Sequence, residues 1–329
     1  MKKFLNSPET ILADALDGFA TAHAALVTLG SQRQFVRRVA LTPGKVGLLS
    51  GGGSGHEPLH AGFVGHGMLD AACPGEVFTA PTPDQMLAAA QEIDTGAGVL
   101  FIVKNYEGDV MNFDMAREMF GGRVETVLTD DDVAVETSTY SLGRRGVAGT
   151  LVVEKIVGAA AEQGRDLASL AALGTRVNRA TRSMGVALTS CTVPAAGHPT
   201  FTIGDDEIEI GVGIHGEPGR RRERLRPADA LAEEMIAAIA SDLGDAASGE
   251  VLLLVNGFGA TPLMELYLMF HAALRVLERR GARVARSLVG NYVTSLDMAG
   301  CSLTVTGLDA EMMALWDAPV HTPALRWGV

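Results

Sequence analysis

Residues 46–58, VGLLSGGGSGHEP, constrain the chain more than any other stretch. Apolar Val46, Leu48 and Leu49 run directly into Gly51, Gly52 and Gly53, then Ser54, Gly55 and His56. The short apolar run reads as a buried strand, and the glycines are expected to allow positive φ and close approach of a ligand to bare amides. In an open α/β sheet, ligands lie beyond the carboxyl ends of strands, so a small polar substrate is expected at this turn. The alternative is a tight turn carrying a surface histidine. A nucleotide is a poor fit. The glycines are not followed by Gly-Lys-Ser/Thr, and His56 stands where the last glycine of a dinucleotide fingerprint belongs.

Three further stretches repeat the strand-then-loop pattern. GVLFIV, residues 98–103, is continuously apolar, as a strand buried on both faces requires, and it leads into KNYEGD. If the strands are parallel, Lys104 and Asp109 emerge on the same edge as the glycine turn. Residues 251–255 lead into NGFGATP, and EIEIGVGI leads into His215 within HGEPG, an echo of SGHEP. Helical spacing of apolar residues appears over 8–29, 112–119, 149–173 with a break at Gly164, 228–239 and 263–279; strands are expected at 124–128, 183–192, 283–288 and 302–306. Residues 57–68 look helical but are interrupted by Gly62, Gly65 and Gly67, and His60 and His66 within them read as packing or surface histidines. Thr82 or Asp84 can cap the helix that follows. The fold class is α/β, with two α/β domains, each a β-sheet flanked by helices. A chain of 329 residues allows about two domains of roughly 150 residues. The boundary is placed near 182: 1–182 carries the glycine loop and the Lys104/Asp109 loop, and 183–329 carries His215. The proline-broken tail, with Trp316 and Trp327 as anchors, is expected to strap one domain.

Charge and composition remove several classes. A net charge of -12 disfavours binding to a nucleic-acid backbone, and RRRERLR at 220–226 reads as a solvated loop rather than a phosphate patch. No apolar run approaches the ~18 residues of a membrane span, and the first residues lack the apolar core of a signal peptide; a cytoplasmic location is the expectation. Cys73, Cys191 and Cys301 are odd in number and scattered, without a CxxC pair, so neither a disulfide framework nor a zinc site is expected. Asp130, Asp131 and Asp132 have the oxygen chemistry for magnesium. Such runs more often cap a helix or face solvent, and no metal site is assigned.

Taken together, GGGSGHEP, CPGEVFTAPTPD, VKNYEGD, GRRGVAGT, CTVPAAG, GVGIHGEPG, GATPLMELY, TSLDMAG and WDAPVHTPAL resemble the dihydroxyacetone kinase family, its K subunit, in order and over nearly the whole chain. The resemblance implies that His215 adds through a ring nitrogen to the ketone carbon of dihydroxyacetone, giving a hemiaminal. It implies acid/base roles for His56 and Asp109 at the hydroxyl to be phosphorylated, and substrate contacts at Gly53, Ser54, Gly55 and Lys104. No cofactor is expected in this chain. Mg-ADP or Mg-ATP is expected in a separate L-type nucleotide-binding subunit, because the helical nucleotide domain of single-chain members has no counterpart before Val329. A phosphotransferase-system phosphoprotein can stand behind that subunit, and a homodimer is expected by analogy. GDAASGE, before strand 251–255, is shorter than the corresponding link in longer members, which bears on docking rather than on the site. Two other readings stay open: a kinase subunit for another short ketose or aldose, such as a tetrulose or glyceraldehyde, and a dihydroxyacetone-sensing regulator without transfer activity.

Overall fold

Parallel pairing on both sides of the glycine-rich strand determines where the first sheet presents its loops. The computed structural model describes residues 2–135 and 140–329. Strand β1 (Val27–Leu29), β2 (Val36–Arg38), β3 (Gly47–Ser54), β4 (Ala71–Val77), β5 (Val99–Lys104) and β6 (Val124–Thr129) form one sheet in the order β1-β2-β4-β3-β5-β6. β3 is parallel to both β4 and β5, and β5 is parallel to β6. The carboxyl ends at Ser54, Lys104 and Thr129 therefore share one edge. Before the sheet comes helix α1 (Ile11–Ala22), shorter than the 8–29 expected because the chain turns after His23 into β1. Helix α2 (Pro83–Ile93) begins with a capping box: Thr82 accepts from the Gln85 amide while the Gln85 side chain accepts from the Thr82 amide, satisfying two otherwise orphaned donors. It packs with helix α3 (Glu107–Met119) around Leu49, Met86, Ala90, Phe101 and Phe113.

The second sheet is built on strands from residue 181 onward. β7 (Thr181–Ala187), β8 (Glu207–Ile210), β9 (Arg221–Arg224), β10 (Gly249–Gly257), β11 (Ala282–Gly290) and β12 (Gly300–Gly307) lie in the order β11-β10-β12-β7-β8-β9. Only β10 and β11 pair in parallel; the other pairs are antiparallel. Helices α6 (Ala228–Leu243) and α7 (Leu263–Arg279) cover it with Ile236, Ile239, Leu266 and Val276 against Met184 and Leu253. RRRERLR is no loop. Its centre is the edge strand β9, whose arginines pair with Glu209, Glu223 and Glu234.

A single boundary near 182 does not describe the compact units. One comprises Met1–Thr129, Val153–Arg176 and Ala314–Val329, the other Asp130–Val152 and Val177–Met313. Each sheet's strands are nearly contiguous in sequence, but helices α4 (Gly149–Glu162), α5 (Leu167–Arg179) and α8 (Ala310–Asp317) lie where the chain passes between units, a pattern that periodicity within single elements does not reveal. The tail does pack as a strap on the first unit. Strands β13 (Val320–His321) and β14 (Arg326–Trp327) pair, the His321 amide donates to the His66 carbonyl, and Trp316 stacks at a tilt on Trp327. Residues 57–68 contain only a short 3-10 turn at Ala61–Phe63; left-handed Gly65 and Gly67 break the helix that spacing suggested. All three cysteines are buried and free. No helix among the described residues is long and apolar enough to cross a membrane.

Small residues on α4 serve close packing. A Cβ on Gly158 would lie 2.5 Å from both the Gly67 carbonyl oxygen and the Met68 Cα. Gly18 on α1 has open space instead. Gly158→Ala is therefore expected to destabilise the protein by about 1–3 kcal/mol through overpacking, although alanine is the better helix former. Gly18→Ala should stabilise it by roughly 0.5–1 kcal/mol. Urea unfolding of the two variants checks the opposite signs; the same sign for both removes the packing explanation.

Candidate active site

On the carboxyl edge of the first sheet the glycines do something other than expected. Of the four, only Gly55 is left-handed, with φ 98°; Gly51, Gly52 and Gly53 are residues of β3. Their missing side chains make room for neighbours. A Cβ on Gly51 would sit 2.7 Å from the Cys73 carbonyl oxygen, one on Gly53 2.6 Å from the Thr79 amide nitrogen, and one on Gly52 2.1 Å from Lys104 Nζ. The glycine run thus admits a buried ammonium and a close backbone crossing. Ser54 donates its hydroxyl to the Gly75 carbonyl at 2.6 Å, and the Gly55 amide donates to the Glu57 carboxylate. His56 is buried with its ring stacked on Phe78, centroids 5.0 Å apart and planes 15° from parallel.

Lys104 ends β5, and Asp109 lies in the first turn of α3 rather than on a loop, because that helix begins five residues earlier than its apolar spacing indicates. Positive partial charge at a helix start favours a carboxylate there. Both side chains are buried, with Lys104 Nζ 3.2 Å from Asp109 Oδ2. The ammonium also donates to the Gly51 carbonyl at 3.2 Å and faces His60 Nε2 at 3.1 Å. Beyond His60, Nδ1 lies 2.6 Å from Oε1 of Glu154 on α4 and 3.0 Å from the Ser50 hydroxyl. His60 and Glu154 are the site neighbours that sequence reasoning missed. His60 reads as a packing residue, and Glu154 sits in a run of small and apolar helix residues where one buried carboxylate was the available signal. Burial, then the charges of Lys104 and His56, hold the His60 imidazole well below the usual histidine range. Burial pushes the Glu154 carboxyl up to about 8, against the pull of the Lys104 ammonium.

His215 belongs to the second unit. The strand leading to it stops at Ile210, earlier than expected, because left-handed Gly211 (φ 81°) turns the chain. A tight loop then returns Glu217 onto the histidine. Its carboxylate accepts from the His215 amide at 2.9 Å and lies 2.9 Å from His215 Nδ1, while the Gly213 amide donates to the Glu217 carbonyl. Gly213 is required here, since a Cβ would lie 2.1 Å from Glu217 Oε2 and 2.6 Å from Arg145 Nη1. Burial alone would raise the Glu217 pKa, but the charge and hydrogen bond of His215 and the charge of Arg145 bring it down to about 2. Fully buried Arg145 pairs with Asp132 at 2.7 Å and donates to the Gly211 carbonyl at 2.7 Å. The three aspartates are built into the fold: Asp130 accepts from Asn178, Asp131 accepts from the amides of Val147 and Gly149 near the start of α4, and Asp132 holds Arg145. Carboxylates committed to internal donors do not present the open oxygen cluster that magnesium takes.

The family model for the Dak1 domain matches residues 17–324. The chain is 50% identical over 328 residues to the dihydroxyacetone-binding subunit DhaK of the PTS-dependent dihydroxyacetone kinase 1 of Listeria innocua serovar 6a, covering 98% of this chain and 100% of that one. It is 48% identical over 356 aligned residues to the corresponding subunit of the PEP-dependent kinase of Escherichia coli K12, with both chains fully covered. Among solved structures it resembles the dihydroxyacetone kinase operon co-activator Dha-DhaQ with TM-score 0.89 and 33% identity, over 94% of this chain and 97% of that one.

The raised Glu154 pKa has a consequence for stability. Its folded value, about 8, lies above the ordinary carboxylate value near 4.3, so the folded state binds the extra proton and stability falls as pH rises from about 4.3 to 8. Glu154→Gln removes that titration. Its unfolding free energy should lose the alkaline decline that Glu154 contributes, as read from urea midpoints across this range; an unchanged slope would show that the carboxyl titrates normally.

Proposed function

Because the chain belongs to the Dak1 domain family, we propose that it is the dihydroxyacetone-binding subunit of a dihydroxyacetone kinase, a phosphotransferase whose second subunit supplies the phosphoryl group. The observation that carries this reading is the carboxylate of Glu217, buried and held ionised against His215 Nδ1. An ionised carboxylate can only accept, so Nδ1 bears the hydrogen, and in the neutral form of the ring Nε2 bears the lone pair. That is the nitrogen that adds to a ketone. In the addition, the Nε2–C bond forms as the carbonyl π pair moves to oxygen. The oxygen takes up one proton and the ring gives up its Nδ1 proton by way of Glu217, so the hemiaminal is neutral and nothing leaves. Glycerol offers the same hydroxyls but no electrophilic carbon, so the bond is both a clamp and a filter. Holding a reacting group in place is worth roughly 7–11 kcal/mol in well-oriented systems.

Asp109 is the group assigned to accept the proton of the attacking hydroxyl, with His56 beside it in an acid/base role. Gly53, Ser54 and Gly55 are assigned as substrate contacts, and Lys104, whose three N–H bonds go to the Gly51 carbonyl, Asp109 and His60, is assigned to the substrate site through Asp109. The nucleotide and its magnesium belong to an L-type partner, with a phosphotransferase-system phosphoprotein behind it. A homodimer in the cytoplasm completes the reading. Likeness to an operon co-activator favours one second reading, a dihydroxyacetone sensor without transfer; turnover by the chain with its L-type partner distinguishes the two.

Native mass spectrometry tests the covalent step. The wild-type chain should gain the mass of one whole triose with no water lost, because a substituted imidazole nitrogen has no hydrogen left with which to form a neutral imine. Borohydride should not fix the adduct. His215→Ala should abolish it; an adduct that persists in this variant, or a borohydride-fixed species on Lys104, overturns the assignment. Asp109→Asn separates holding from transfer. The adduct should remain while turnover falls about 10²- to 10⁴-fold, and near-normal turnover removes Asp109 as the base.

A further inference from the structure

Behind the assigned base lies a file of four buried groups with three contacts: Asp109 to Lys104 at 3.2 Å, Lys104 to His60 at 3.1 Å, and His60 to Glu154 at 2.6 Å. Hydrogen counting determines how it is wired. An ammonium has three N–H bonds and no acceptor, and Lys104 has three acceptors around it: the Gly51 carbonyl, Asp109 Oδ2 and His60 Nε2. Nε2 must therefore present its lone pair. At the other side of the ring the Ser50 hydroxyl donates to the Ile102 carbonyl at 2.7 Å, so toward Nδ1 it can only accept, and Glu154 Oε1 accepts as well, as carboxylate or as the carbonyl oxygen of a carboxyl protonated on Oε2. Both faces of the imidazole require the same neutral Nδ1–H form. The glycine at 52 completes the device, since any side chain there would occupy the place of the ammonium.

We infer that His60 and Glu154 are positioning residues of the phosphoryl-acceptor site, holding the Lys104 ammonium against Asp109 through one fixed imidazole tautomer. Neither is assigned to touch substrate. Glu154 keeps the hydrogen on Nδ1, the lone pair on Nε2 supplies the third acceptor, and with all three N–H bonds committed the ammonium cannot rotate away from the Asp109 carboxylate. Without that acceptor a buried N–H is left unsatisfied, which is costly enough to make the side chain reorient. Misplacing a reacting group by about 1 Å can cost on the order of 10²-fold in rate. Glu154 is an uneconomical way to fill space on a helix of small residues, and its Oε2 has no hydrogen-bond partner among the described residues. The catalytic consequence rests on the proposed role of Asp109; the tautomer does not.

Two measurements separate these layers. Nitrogen-15 NMR of the histidine-labelled chain, with His60 assigned by its loss in His60→Gln, should show a neutral ring protonated at Nδ1 from about pH 6 to 8. An Nε2–H tautomer or an imidazolium overturns the inference whatever the enzyme does, and this reading holds even where a Glu154 variant fails to fold. In the chain assembled with its nucleotide-binding partner subunit, Glu154→Leu should lower kcat on the order of 10²-fold while KM and the His215 adduct stay unchanged. Glu154→Gln keeps an acceptor for Nδ1–H and should recover to within a few-fold of wild type. On an Asp109→Asn background, Glu154→Leu should add little, since coupled residues are non-additive. Wild-type kcat in Glu154→Leu, equal losses in the Leu and Gln variants, or losses that multiply with Asp109→Asn would each overturn it. If the wild-type assembly phosphorylates no triose, the functional reading fails first, and the tautomer still decides whether His60 is held as described.

Discussion

A lysine ammonium buried beneath a strand of glycines is the interaction on which the first site depends. Desolvating a cation costs several kcal/mol even in a relaxed protein interior, and Lys104 offsets that cost only through close acceptors on every N–H. Gly52 leaves the volume, β5 delivers the stem from the adjacent parallel strand, and α3 sets Asp109 in its first turn. The motif SGGGSGHEP and the motif KNYEGD are thus two halves of one requirement. The glycines form a cavity for a charge.

The second unit solves a similar problem with the opposite sign. There the buried group is a carboxylate, Glu217, held ionised between His215 and Arg145, with Arg145 in turn secured by Asp132 and the Gly211 carbonyl. Removing one partner from such a chain leaves an uncompensated buried charge. This is why three loops distant in sequence, around 132, 145 and 213–217, act together. The effect at the histidine is to choose which nitrogen carries the lone pair. In both units a carboxylate one step behind an imidazole selects its tautomer: Glu154 for His60 and Glu217 for His215. The resulting lone pair accepts a hydrogen bond from the lysine ammonium in the first case and is assigned to attack a carbonyl in the second.

Much of this was legible from the residues alone. Apolar runs at 98–103 and 251–255 marked buried strands because a parallel or central strand has no polar face, and the capping residue Thr82 announced its helix through a local hydrogen-bond pattern. The motif at 46–58 marked the glycine strand that borders Lys104, and the resemblance carried by nine ordered motifs named the family. Local signals misled where tertiary demands override them. Gly51, Gly52 and Gly53 read as flexible turn residues yet lie in a strand, because a bare Cα serves close packing as well as positive φ. Residues 57–68 have helical spacing, but left-handed Gly65 and Gly67 shape a loop that receives the C-terminal strap.

By itself, then, the sequence determined what depends on neighbours in the chain: the α/β alternation, the strand ends at Ser54 and Lys104, and the family to which its motifs belong. Only the tertiary structure decided which charges meet. Glu154 lies 94 residues from His60, and Arg145 lies 13 from Asp132 and 66 from Gly211. No periodicity encodes such separations. The interleaving of segments 153–176 and 314–329 into the first unit arises in the same way. A lone glutamate in an apolar helix is chemically mute until folding places an imidazole 2.6 Å from it, because proton positions are set by donors and acceptors in space rather than by order along the chain.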